Sequence, residues 1–256
     1  MNPEEKKLKE MSLLDHLTEL RKRLLWCFVY LILIFIVCFY FADNLFAFLA
    51  DPLVKLMDKE RGQGFIYTAL QEAFFTELKV ALFFALFFSF PVIAVQIWKF
   101  IAPGLYKHEK QTIMPYLIAT PILFFLGGVL VYYLIMPLAI KFFLSFESGG
   151  LATNLPIELE LKVNEYLSLV MKLIFAFGLS FQLPVVLSLL ARIGVVDSKF
   201  LKERRKYVVV IIFTAAAVLT PPDPITQIGL AIPLLILYEL SIFSVKIIEK
   251  KVKNNA

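Results

Sequence analysis

Residues 24 to 42 read LLWCFVYLILIFIVCFYFA, with Arg23 before, Asp43 after and no charge between them. A run of that length meets the roughly 20 helical residues needed to cross a hydrocarbon core of about 30 Å. In lipid every backbone polar group must be bonded within the segment, so the run predicts a transmembrane helix.

Moving outward from it, similar runs occupy residues 74–101, 113–140, 165–190, 207–219 and 225–245. The second is long enough to cross at a tilt despite Glu77 and Lys79 near its start. Pro115, Pro121 and Pro137 interrupt the third and Pro184 the fourth, where kinks are expected. The last two are parted only by Thr220-Pro221-Pro222-Asp223-Pro224, a tight turn. The fifth has about 13 apolar residues before the prolines, short for a bilayer, so a local membrane distortion is expected there. The fold class expected is therefore all-α, a polytopic membrane protein of six transmembrane helices in a single domain over residues 1–256, with the last two spans short.

Composition agrees with this class. The 256 residues are 60% hydrophobic with 26 Phe, and the mean hydropathy is +0.79, which excludes an ordinary soluble domain. Lys and Arg concentrate in residues 1–23, 101–112, 191–207 and 246–256, whereas the alternate loops hold Lys55, Lys59, Arg61, Lys141 and Lys162. The positive-inside rule then places both termini in the cytoplasm. Residues 1–23 become a cytoplasmic amphipathic segment, 43–73 and 141–164 extracytoplasmic loops, and 246–256 a cytoplasmic tail. The net charge of +5 is explained by basic loops near anionic lipid, without nucleic acid. Within the first outer loop, apolar residues from Leu45 to Met57 have helical spacing and predict a helix along the outer surface.

No cleavable signal peptide is expected, because the first apolar run is too long for one. Cys27 and Cys38 lie along one helix and read as small apolar residues. No convincing internal repeat is found, which counts mildly against a secondary transporter.

The polar residues narrow the function. Leu13, Leu17, Leu20 and Leu24 recur at helical spacing, and Ser12 with Asp15 resembles a capping box, so an amphipathic helix should lead into the first span. Glu19 lies off that apolar stripe and has two readings, an ordinary i,i+4 partner of Arg23 or a receptor for a cation. Glu109 follows Pro103-Gly104 between Lys107 and Lys110, and is either a solvated loop charge or a second receptor. Gln96 and Gln182 fall well inside spans; Glu77, Lys79, Glu165 and Lys172 lie nearer the outer half, where charge is costly and marks a cavity, a partner or a snorkelling side chain.

Four blocks, HLTELRKR at 16–23, FIAPGLYKHE at 100–109, FGLSFQLP at 177–184 and TPPD at 220–223, occur in order across nearly the whole chain. Together they resemble the TatC family, the large subunit of the twin-arginine protein translocase. The resemblance implies a receptor for signal peptides with consecutive arginines on folded precursors, exported by the proton-motive force without ATP in the core machinery. By position it implies that Glu19 and Glu109 recognise the arginine pair, with Phe100, Pro91, Gln96, Lys107 and Tyr106 in matched stretches around that site. Pro103, Pro221, Pro222 and Asp223 are the structural residues of those blocks. The family commonly carries an acid where this chain has Gln182; Glu165 on the same expected helix is the alternative acid, with Gln182 and Gln96 as further intramembrane partner contacts.

The partners implied are single-span proteins of the TatA and TatB type, twin-arginine signal peptides and membrane lipid, in an oligomeric translocase complex in a prokaryotic plasma (inner) membrane. No cofactor, metal or nucleic acid is called for. A proton- or ion-coupled small-solute transporter is the alternative, but it needs ionisable groups meeting near the midplane. An intramembrane enzyme ranks last: His16 and His108 are the two histidines, both in cytoplasmic segments, and neither a Gly-x-Ser-x-Gly nor a His-Glu-x-x-His motif occurs.

Overall fold

The computed structural model describes residues 13–57, 64–101, 110–145, 160–219 and 224–254. The expected turn at 220–223 and the loop blocks at 102–109 and 1–12 lie outside them. The helices are α1 (Leu13–Tyr40), α2 (Ala42–Val54), α3 (Glu72–Ile101), α4 (Lys110–Leu130), α5 (Met136–Leu144), α6 (Val163–Ser180), α7 (Leu183–Arg192), α8 (Ser198–Leu219) and α9 (Pro224–Asn254). Strands β1 (Phe65–Ile66) and β2 (Leu161–Lys162) pair in parallel, Phe65 opposite Leu161.

Among the described residues five helical stretches are long and apolar enough to span a membrane: His16–Tyr40, Glu72–Phe100, Met114–Leu144, Val163–Arg192 and Thr226–Lys250. Helix α8 is not among them. It is continuous for 22 residues, but Lys199, Lys202, Glu203, Arg204, Arg205 and Lys206 charge its first half.

The prolines act as chemistry requires, though not always as simple kinks. Pro137 has no N–H to continue the ladder, and the register slips ahead of it into a π turn at Val131–Ile135, where the Met136 N–H donates to the Val131 carbonyl. The third span therefore runs past 140 to Leu144. Pro184 does more than bend the fourth span. Helix α6 ends at Ser180, Phe181 and Gln182 form a turn, and α7 restarts with Pro184 in its first turn, where the missing N–H costs nothing. Two helices thus stand where one was expected.

The chain divides into two compact units, Met1–Ala42 with Leu78–Pro121, and Asp43–Glu77 with Ile122–Ala256. In the first, Val80, Ala81, Phe84 and Ala85 are buried, and Trp98 Nε1 donates at 3.3 Å to Thr120 Oγ1. Only 6% of the apolar window of α1 is buried, so lipid or a partner must cover much of it.

In the second unit α2 has the amphipathic character expected of 45–57, ending at Val54 and burying Leu49, Ala50 and Leu53. Two tyrosines hold it. Pro52 sits inside α2 and has no N–H to give the carbonyl of Phe48 four residues back. Tyr132, from the π turn, donates its hydroxyl to that carbonyl at 2.8 Å and stacks on the Phe48 ring at 4.5 Å; Tyr166 donates to the Leu49 carbonyl at 3.0 Å. Tyr132→Phe is expected to cost about 1 kcal/mol, less in a Pro52→Ala background whose new N–H supplies the donor. Thermal unfolding of the four variants in detergent measures this; equal costs in both backgrounds would rule the account out.

Helices α7, α8 and α9 share a core of Ala191, Leu201, Tyr238, Ile242 and Val245. Gly194, at φ +77°, closes α7: its N–H reaches the Ala191 carbonyl and that of Val195 the Leu190 carbonyl, the pair of bonds that satisfies a helix end. Asp197 Oδ1 accepts from the Phe200 N–H at 2.6 Å and starts α8. Glu249 of α9 takes the Ser198 N–H and hydroxyl at 2.5 and 2.6 Å, pinning α8 to α9.

Candidate functional site: an acid that holds a guanidinium

Glu19 lies in the first, polar part of α1, one helical turn before Arg23. The pattern Glu then Arg four residues on is the favoured orientation for an intrahelical pair. Arg23 Nε donates to Glu19 Oε1 at 3.0 Å and Nη2 bonds the same oxygen. The remaining face of the guanidinium is taken by another helix: Nη1 donates to Gln96 Oε1 of α3 at 3.1 Å. One arginine is thus held by a carboxylate and an amide 77 residues apart in the chain. The Glu19 and Arg23 side chains are each 22% exposed, sheltered but reachable.

Two recesses meet at this ion pair. A cleft of about 330 Å³ is lined by Glu19, Lys22, Arg23, Trp26 and Gln96. A groove of about 870 Å³ is walled by Leu17, Leu20, Leu24, Phe28, Ile93 and Phe100 among others, with Arg23 and Gln96 on its border too. Phe100 stacks on His16 with ring centroids 4.2 Å apart, joining the start of α1 to the end of α3. The geometry therefore sets a guanidinium, held by a carboxylate and an amide, at the edge of an apolar trough.

The other sequence candidates fall in three places. Glu109, Tyr106, Lys107, Pro103, Pro221, Pro222 and Asp223 lie outside the described residues. Pro91 is inside α3, five residues before Gln96. Gln96, which the resemblance set around the arginine site and its position in the span set among the intramembrane contacts, lies beside Glu19 in the small cleft. Glu165 and Gln182 are not brought together. Glu165 is in the first turn of α6, 3.5 Å from Lys162 Nζ and 73% exposed, whereas Gln182 follows its last turn, about 25 Å away by helical rise, and donates Nε2 to the Gly178 carbonyl at 3.3 Å. Glu165 borders a separate recess of about 470 Å³ with Glu160, Lys162 and Lys172. Among the described residues no cluster of metal-ligating side chains occurs.

The family model for the Sec-independent protein translocase protein TatC matches residues 15–233, a stretch that contains Glu19, Arg23 and Gln96. The chain belongs to the TatC family. It is 51% identical to the Sec-independent protein translocase protein TatC of Magnetococcus marinus over 239 residues, 93% of this chain and 85% of that one. It is 38% identical to the TatC protein of Escherichia coli K12 over 231 residues, 90% of this chain and 86% of that one. A crystal structure of the twin-arginine translocase receptor TatC superposes with a TM-score of 0.77 at 38% identity, covering 91% of this chain and 99% of that one. This TatC-family chain is thus a protein translocase subunit, a multi-span inner-membrane transport component and not an enzyme.

Proposed function

We propose that this chain is the signal-peptide receptor of a twin-arginine translocase, with Glu19 and Glu109 as the acids that bind the two arginines at the cytoplasmic face. The observation that carries the reading is that Glu19, with Gln96, already holds an arginine guanidinium next to an apolar groove. A guanidinium offers a planar fork of donors to a carboxylate, whereas a lysine ammonium offers a point charge, so such a site reads arginine and not charge alone. The apolar segment that follows the arginines in a signal peptide would lie along the groove between Leu17 and Phe28. Lys22 and Arg23 share the cleft with Glu19, and two cations about one carboxylate repel a second pair of cations. A second acid, Glu109, offsets that repulsion.

In this reading α8 is the sixth span, its apolar half of about 20 Å crossing a locally thinned bilayer, and both termini are cytoplasmic. Six helices cannot enclose a lumen for a folded protein, so transport depends on an oligomeric assembly with single-span partners of the TatA and TatB type and on the proton-motive force. Glu165 and Gln182 are candidate contacts for those partners at two different depths. The solute-transporter alternative gains no support, since Gln182 bonds its own helix and Glu165 pairs locally with Lys162.

The test is crosslinking of the solubilised full chain to an Arg-Arg signal peptide and to its Lys-Lys variant, with wild type, Glu19→Ala and Glu109→Ala. Capture that requires arginine and disappears in both variants is expected. Equal capture of the two peptides, or capture indifferent to both acids, would remove the proposed site.

A further inference from the structure

We propose that Arg23 is a resident competitor for the Glu19 site, which an incoming arginine must displace, and that it sets the affinity threshold a signal peptide has to pass. This rests on the reading of Glu19 as an arginine receptor.

Arg23 satisfies its fork as a bound ligand would, with Nε and Nη2 on Glu19 and Nη1 on Gln96. It reaches Glu19 from one helical turn away, so its local concentration is high and constant. Both bonds to Glu19 fall on Oε1, and Arg23 does not engage Oε2. A donor arriving from the small cleft can therefore take Oε2 first, then draw Oε1 and the Gln96 amide away from Arg23, so exchange never leaves the carboxylate bare. At 22% exposure the pair is neither sealed in nor fully solvated, which suits a contact that forms and opens. Arg23 also borders the apolar groove, where its aliphatic stem can pack while its head group turns toward water.

Competition of this kind has a definite signature. The apparent dissociation constant is the intrinsic one divided by the fraction of molecules in which Arg23 has left Glu19. That factor is the same for every peptide. Arg23 therefore leaves the ratio of Arg-Arg to Lys-Lys binding unchanged, and lowers both affinities together until the weaker signal falls below useful occupancy. Selectivity in the cell then comes from an intrinsic preference combined with a raised threshold.

The test uses the full chain in lipid nanodiscs and labelled Arg-Arg and Lys-Lys signal peptides, titrated against wild type, Arg23→Ala, Arg23→Lys and Glu19→Ala. Arg23→Ala is expected to tighten both peptides by the same factor, about three- to tenfold, with their ratio kept. Arg23→Lys, which retains charge but lacks the fork, is expected between wild type and Arg23→Ala, and keeps the test open should the alanine variant fold poorly. Weaker or unchanged binding in both Arg23 variants while Glu19→Ala abolishes it would overturn the competitor role and make Arg23 a residue that positions Glu19. Binding insensitive to Glu19→Ala would instead overturn the receptor reading beneath it.

Discussion

Gly127→Val is expected to yield protein that aggregates or elutes heterogeneously from a sizing column, with no cooperative thermal transition near that of the wild type. A Cβ at Gly127 would lie 2.9 Å from the backbone carbon and oxygen of Phe177 and 3.0 Å from Gly178 Cα. Those are main-chain atoms of α6, so no side chain can rotate aside; α4 and α6 would have to separate. Phe124 and Phe177, exposed by 0% and 1%, would lose their packing with them. Helices in lipid associate through such close backbone approaches, since they gain no hydrophobic free energy by leaving it. Overpacking alone costs about 1–3 kcal/mol for small insertions, and a branched side chain against a backbone belongs beyond that range.

Gly178→Ala provides the contrast. Its Cβ would meet the ring of Phe124, with the nearest atom at 2.7 Å, and the obstacle is a side chain. Phe124→Leu in the same chain is expected to recover part of the loss at Gly178 and none of the loss at Gly127. Wild-type melting of Gly127→Val would refute the contact.

What was legible in the sequence was local. The span from Leu24 to Ala42 and the amphipathic periodicity of α2 are carried by neighbours three and four residues apart, and they emerge as helices. The TatC resemblance rests likewise on contiguous blocks. What was not legible depends on segments meeting: Gln96 reaches Arg23 only because α3 packs beside α1, and Tyr132 reaches Phe48 only because a π turn re-aims it. Pro184 announces a disturbance, yet whether a helix bends or stops depends on what packs around Phe181 and Gln182. The Glu19–Arg23 pair follows from i,i+4 spacing and the separation of Glu165 from Gln182 from helical rise, so both were available from sequence arithmetic. The pairing of Phe65 with Leu161 joins the segment before α3 to the segment before α6, with no periodic signal in either.

The arginine site also makes a charge-exchange prediction. Glu19→Gln removes the carboxylate but keeps an acceptor of similar size, and is expected to reduce the preference for an Arg-Arg over a Lys-Lys peptide about tenfold or more, since a hydrogen bond to a charged partner contributes about 1.5–3 kcal/mol. The ratio of the two affinities is the proper observable, because Arg23 loses the same partner as the peptide and its release would mask part of the loss in either affinity alone. Gln96 Oε1 lies 3.1 Å from the guanidinium that Glu19 holds, so Gln96→Glu added to Glu19→Gln returns one carboxylate to the cleft from the facing helix. The double variant is expected to regain most of the preference, although the Lys-Lys peptide should still bind weakly, because the fork geometry and not the helix of origin makes the discrimination. A double variant no better than Glu19→Gln would mean that the signal arginine does not occupy the position between α1 and α3 where Arg23 lies.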